Sequence, residues 1–129
     1  MASLMENLIE ILNKESEGYE GLLETSRKKT TVIIKGDLEA LTQLTEEEQS
    51  KTSVIVNLDK KREEIMADMA NVLNKDVNTL KLTQLVEILS SRPAEQQALA
   101  AAIERITKSA TALQQVNHQN GELLKNSIE

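Results

Sequence analysis

Apolar and small residues return every three or four positions through the first third of the chain, which places them on one face of a helix. They are Leu4, Leu8, Ile11, Tyr19, Leu22, Ser26, Thr30 and Ile33, with Glu15 interrupting the row. Ser3 stands before the row with Glu6 three residues later, the pattern of a helix N-terminus. Gly36 follows the row as a C-terminal signal. The pattern predicts a first helix over residues 3–35. Gly18 and Gly21 within it either allow close approach of another helix or simply weaken the turn, and we favour the second interpretation.

The same spacing predicts a second helix over residues 38–74, opened by Asp37 as the N-cap. Its apolar row is Leu38, Leu41, Leu44, Ile55, Leu58, Ile65, Met69 and Val72. The middle of the row is polar, and Arg62 also falls on it. We interpret Arg62 as a long side chain that covers apolar surface and keeps its charge at the rim. Asn74 and the polar residues after it predict the end of this helix.

A short helix is predicted over residues 84–90, with Thr83 as its N-cap, and a last long helix over residues 93–126. Pro93 suits the first position of a helix, where its missing N–H is not needed. The inner face of the last helix is predicted to consist of Leu99, Ala102, Ile103, Ile106, Ala110, Leu113, Val116, Asn120 and Leu123. Alanines are frequent in its first half, and amide side chains are frequent in its second half.

Helices of this length extend about 45–50 Å at 1.5 Å per residue, and short links between them favour a bundle. The predicted fold is all-α, an elongated antiparallel bundle of three long helices with one short helix before the last. We expect residues 1–129 to form a single domain. Each helix offers only a narrow apolar stripe, so the core is thin. Either a partner helix packs against the bundle, or the bundle self-associates.

Composition narrows the functional classes. Aromatic residues make up 1% of the chain, and four Gly and one Pro are too few for the turns of an all-β fold. The formal net charge of −6 and the scattered Lys and Arg residues argue against binding to nucleic acid or an anionic membrane. There is no Cys, which fits a reducing cytoplasm. No secretory signal and no apolar run of about 20 residues is evident, so we expect a cytoplasmic protein without membrane insertion.

The sequence contains few residues that could form a catalytic or metal-binding site. One His and no Cys are too few for a clustered metal site, and no strand-turn-helix elbow presents a Ser, so neither an enzyme nor a cofactor or metal site is expected. One enzyme-like alternative is a histidine phosphotransfer domain, which also has helices and an exposed His. Its pattern continues with Lys and Gly, whereas His118 is followed by Gln119, Asn120 and Gly121. The sequence therefore favours this alternative less than a binding function.

Four segments are similar to FlgN-type flagellar export chaperones, in the order in which that family has them. They are residues 8–15 (LIEILNKE), 34–41 (IKGDLEAL), 58–65 (LDKKREEI) and 116–124 (VNHQNGELL). The resemblance implies a cytoplasmic chaperone that binds helical terminal segments of hook–filament junction proteins until the flagellar type III export apparatus takes them.

The resemblance also implies that the last helix is the main client-binding element. A client helix could lay its apolar face against it, with small residues allowing close approach. The candidate client-binding residues are Leu99, Ile103, Ile106, Ala110, Leu113, Val116, Asn117, Asn120, Leu123 and Leu124. The same side chains could instead pack on the first two helices. A homodimer is expected as one possible state of the client-free protein, and a self-associating structural or adaptor bundle is the main alternative function.

Overall fold

The computed structural model describes residues 3–128, with side chains through Asn126, and its regular structure is helical. The helices are α1 (Leu4–Lys35), α2 (Leu38–Leu73), α3 (Leu82–Ile88) and α4 (Pro93–Ile128), with a 3-10 turn at Leu89–Ser91 between the last two. The all-α prediction is confirmed, and the three long helices lie where the apolar spacing predicts them. No helix in the described part of the chain has the length and apolarity of a membrane span.

Local signals fix the ends of the long helices. Ser3 and Asp37 each accept a hydrogen bond on the side-chain oxygen from the backbone N–H three residues later, at 3.1 Å in both cases. Gly36 ends α1 with φ of 74°, a left-handed conformation that glycine adopts without steric strain. Asn74 ends α2 in the same region, with φ of 55°. The predicted caps at Ser3, Gly36 and Asp37 are therefore confirmed.

The short helix begins earlier than predicted. It starts at Leu82 with Lys81 as the N-cap residue, so the prediction of Thr83 as N-cap is wrong. Gln84 explains the difference, because its side-chain Oε1 accepts a hydrogen bond from the backbone N–H of Lys81 at 2.9 Å. This bond satisfies a donor at the helix start without a Ser, Thr or Asp cap. The α-helix also ends at Ile88, where the 3-10 turn begins, rather than at residue 90.

The first helix is the centre of the bundle. α1 packs against α2 on one side and α4 on the other, whereas no close backbone contact joins α2 to α4 among the described residues. α2 runs antiparallel to α1, as predicted. α4 runs parallel to α1, as the third long helix of an up-down-up chain must. α3 packs on α4 near the end of the bundle that contains the start of α1.

Two apolar clusters lie along α1. The proximal cluster, at the α3 end, is large, and its buried residues are Met5, Leu8, Leu12, Met69, Ala70, Leu80, Leu85, Leu89, Leu99 and Ala102. The distal cluster is small, and its buried residues are Leu22, Leu23, Ile55 and Leu113. Apolar burial is the main stabilising contribution in a bundle. The proximal end therefore supplies most of the stability.

Gly18 lies at a close approach of α1 and α2. A Cβ atom added there would lie 2.8 Å from Cγ1 of Ile55, which is shorter than a van der Waals contact. The interpretation of Gly18 as only a weak point is therefore wrong, since the missing side chain is what lets Ile55 reach α1. For Gly21 that interpretation agrees with the structure, because a Cβ there would contact nothing within 4 Å.

Alanine at these two glycines is expected to have opposite effects. Gly18→Ala forces Ile55 to move, a strain of about 1–3 kcal/mol that exceeds or cancels the helix-propensity gain of about 1 kcal/mol. Gly21→Ala receives the propensity gain alone and should stabilise the protein by about 1 kcal/mol. Urea unfolding of both variants measures the difference. Equal stabilisation by both substitutions would show that α1 and α2 are not in close contact at Gly18.

Candidate functional site

The inner face of α4 carries the ten candidate residues, and the structure divides them by depth. Leu99, Leu113 and Asn120 are buried, whereas the side chain of Asn117 is exposed. The remaining six are half-buried: Ile103, Ile106, Ala110, Val116, Leu123 and Leu124. All ten lie on one helix, but they do not form one open surface. Most of the face is partly covered by α1.

The first half of this face belongs to the proximal cluster. Leu99 has 0% exposure and lies in the same cluster as Leu8 and Leu12 of α1. Ile103 and Ile106 pack against the cluster from the side. Separating close-packed aliphatic side chains of this kind has a large free-energy cost. This half of α4 is therefore held firmly on α1.

The second half of the face is held largely by hydrogen bonds. The Ser26 hydroxyl donates to Oδ1 of Asn117 at 2.9 Å, and Nδ2 of Asn120 donates to the Ser26 carbonyl at 2.8 Å. The Thr30 hydroxyl donates to Oδ1 of Asn120. Ser26 and Asn120 are buried, so these bonds satisfy polar groups that would otherwise lack water. Beyond Leu113, which belongs to the distal apolar cluster, the α1–α4 interface is thus polar, whereas the proximal interface is apolar.

The α1–α2 interface has the same polarity difference. No residue from 38 to 54 is buried, whereas Ile55, Met69 and Ala70 are buried later in α2. In the distal half, Nζ of Lys51 donates to the Thr25 hydroxyl at 2.7 Å, and an ion pair of 3.3 Å joins Lys29 to Glu48. These polar contacts lie in the part of α2 where the apolar row is interrupted by polar residues.

Large apolar side chains remain exposed near this distal end and along α2. They are Ile34, Leu38, Val54, Val56 and Val72 on or beside α2, together with Val77 and Ile88 nearer α3. In the described part of the chain the backbones of α2 and α4 make no close contact, and side chains of both helices meet in the two apolar clusters beside α1. Only one aromatic residue, the half-buried Tyr19, is available near the middle of α1.

A charged layer separates the two apolar clusters. Glu15 of α1 has 0% exposure, and its Oε1 lies 3.0 Å from Nε of Arg62 on α2. Nη2 of Arg62 also contacts Oδ1 of Asp59 at 3.2 Å. The pKa of Glu15 is raised to about 8, chiefly by burial and also by the neighbouring Asp59 carboxyl, while Arg62 opposes the rise. The Arg62 charge therefore faces a buried acid and does not lie only at the rim.

The contact between Glu15 and Arg62 was not predicted, although the sequence contains a signal for it. Glu15 interrupts the apolar row of the first helix, and Arg62 lies on the apolar row of the second. Two opposite charges on the facing rows of neighbouring helices indicate an ion pair between them.

A second ion pair joins α1 to α4 at the bundle surface. Arg105 binds the Glu20 carboxylate with two parallel hydrogen bonds, from Nε at 2.9 Å and from Nη2 at 2.8 Å. The hydrogen bond from Arg105 lowers the pKa of Glu20 below its ordinary value. The Ser109 hydroxyl also lies 3.3 Å from the same carboxylate. This fork fixes the register of α4 on α1 between the proximal and distal halves.

Catalytic groups do not converge in the described part of the chain. No group of three or more His, Asp or Glu side chains that could hold a metal ion is found there. His118 is exposed on α4, between Asn117 and Gln119. The arrangement that the structure does offer is a helical face, apolar with two amides, that could pack against another helix.

Comparison with known proteins agrees with this arrangement. A family model described as FlgN protein matches residues 1–129, the whole chain. No curated protein and no solved structure gave a match. The resemblance found in four segments of the sequence is therefore confirmed over the full length. The chain belongs to the FlgN family, a family of flagellar export chaperones.

Proposed function

We propose that this protein is a cytoplasmic chaperone that binds the helical terminal segments of flagellar hook–filament junction proteins and keeps them soluble until type III export. The family match over the whole chain is the observation that carries the proposal. The proposed client site is the second half of the inner face of α4, from Ala110 to Leu124.

The character of the distal interface supports this location. A hydrogen bond within a protein contributes only about 1 kcal/mol net, since water or another partner can replace it. The bonds of Asn117 and Asn120 to α1 could therefore be exchanged for bonds to a client at little net change in free energy. The half-buried side chains of Val116, Leu123 and Leu124 would then supply apolar contact to the client helix.

The proximal half of α4 has a different proposed role. Leu99, Ile103 and Ile106 are engaged with the proximal cluster, so releasing them would disrupt the main core. We propose that these residues anchor α4, while the distal residues move to accept the client. Client contact at Leu99 would require opening of the best-packed part of the bundle, which makes it the least favourable of the ten candidates.

Calorimetric titration with a C-terminal helical peptide from a junction protein of the same source tests the proposed function. We expect saturable one-to-one binding with a negative heat-capacity change, because apolar surface is buried on binding. A peptide of the same composition in scrambled order serves as the control. If neither the peptide nor the whole junction protein binds, the client assignment is wrong, and self-association of the bundle as an adaptor becomes the better hypothesis.

A further inference from the structure

The charged layer in the middle of the bundle has more acidic groups than basic groups. It contains two carboxyl groups, Glu15 and Asp59, and one guanidinium, that of Arg62. If both acids were ionised, one negative charge would remain uncompensated beside a fully buried side chain. Burying an unpaired charge is far more costly than burying a neutral carboxyl group. The side chain of Asp59 is 36% exposed whereas Glu15 has 0% exposure, so the neutral form is favoured at Glu15.

The hydrogen-bond geometry points the same way. Oε1 of Glu15 lies 3.0 Å from Nε of Arg62. Among the described residues, however, the two Glu15 oxygens and the Nε–H of Arg62 make no well-aligned hydrogen bond. Arg62 is instead shared with Asp59 through Nη2. Asp59 lies close enough to form a side-chain hydrogen bond with Glu15, which raises the pKa of Glu15. A proton on Glu15 supplies the donor for this bond, and two neighbouring carboxyl groups commonly share a proton in this way.

We propose that Glu15, Asp59 and Arg62 form a proton-dependent link between α1 and α2. The link is closed when Glu15 carries a proton that its carboxyl group donates to Asp59. It is weakened when Glu15 is ionised, because the two carboxylates then repel each other across the helix interface. This inference concerns the two helices themselves and does not depend on the proposed client.

The surroundings make α2 sensitive to this link. One turn away on α1, Gly18 lets Ile55 of α2 pack closely, so separation of the two helices at the charged layer would disturb the distal cluster. The charged and titratable groups that act on the Glu15 side are Asp59 and Arg62 from α2 and Tyr19 from α1. Arg105, a charged residue of α4 in the middle of the bundle, is bound to Glu20.

The sign of the pH effect follows from the pKa of Glu15, which is raised from an ordinary value of 4.5 to about 8 in the folded chain, chiefly by burial. Below pH 4.5 the group is protonated in both the folded and the unfolded state. Between these two pH values only the unfolded state releases the proton, so the free energy of unfolding falls as the pH rises. Above pH 8 both states are ionised, and Glu15 causes no further change.

A carboxyl carbon NMR titration of the full chain tests the link directly. The Glu15 side-chain signal is expected to titrate with a midpoint near pH 8, far from the range of exposed glutamates. The Ile55 methyl signal should shift with the same midpoint. A Glu15 midpoint near 4.5 would overturn the proposal, and so would a raised midpoint without any response of Ile55.

Denaturant unfolding between pH 5 and pH 9 supplies the second measurement. Glu15→Gln keeps the side-chain size and a donor for Asp59 but cannot ionise. This variant should therefore lose the fall in stability that the wild-type chain shows as the pH rises. Glu10→Gln is the matched control, since Glu10 is an exposed acid of the same helix, paired with Lys14, and should leave the fall unchanged. Parallel pH profiles for Glu15→Gln and the wild type would contradict the link, and the NMR titration decides the matter if Glu15→Gln does not fold.

Discussion

Leu123→Asp is expected to weaken the binding of a client helix by about 30-fold or more. The half-buried Leu123 lies near the end of α4, within the proposed client face and outside the two apolar clusters. A charge placed there would be desolvated on binding, and loss of an apolar anchor residue commonly removes about 2 kcal/mol of binding free energy, which equals about 30-fold in affinity. Calorimetric titration with the junction-protein peptide measures the change.

Gln119→Asp is the matched control for this variant. Gln119 lies one turn earlier on the same helix and is exposed, so the substitution adds the same charge without touching the inner face. Its affinity should stay close to that of the wild type. Circular dichroism and urea unfolding show whether either variant alters the fold. Unchanged binding by a folded Leu123→Asp protein would place the client elsewhere.

Leu99→Ala is expected to lower the free energy of unfolding by about 3 kcal/mol, because it leaves a cavity in close-packed surroundings. Leu99 has 0% exposure and lies in the proximal cluster, where α4 meets α1. The expected effect is on stability and not on client contact, which separates the anchoring half of α4 from the proposed binding half. Urea unfolding monitored by circular dichroism measures the loss.

The same substitution at Leu38 is the control for Leu99→Ala. Leu38 is 75% exposed at the start of α2, so Leu38→Ala should change stability by no more than about 0.5 kcal/mol. At a temperature where Leu99→Ala remains folded, its affinity for the client peptide should equal that of the wild type. A large loss of affinity in the folded variant would instead assign Leu99 to the client site.

The positions of the long helices and of their ends follow from local signals in the sequence. Apolar spacing sets the inner face of each helix, and Ser3, Gly36 and Asp37 mark boundaries through bonds formed within a few residues. Pro93 marks the start of α4 because the first position of a helix does not need its missing N–H. Such signals are local, so they can be read without knowing where the other helices lie. The prediction of Thr83 as N-cap is wrong because the side chain of Gln84 caps the same turn by accepting a hydrogen bond from the Lys81 N–H.

Only the tertiary structure decided which helices meet. An apolar stripe shows that a helix has a packing face, but it does not show which neighbour covers that face. The structure places α1 between α2 and α4 and gives Asn117 and Asn120 partners on α1. Likewise, the sequence shows Glu15 and Arg62 only as two separate polar residues, each in the apolar row of a different helix. They come within 3.0 Å of each other, although they are far apart in the chain, because α1 packs on α2.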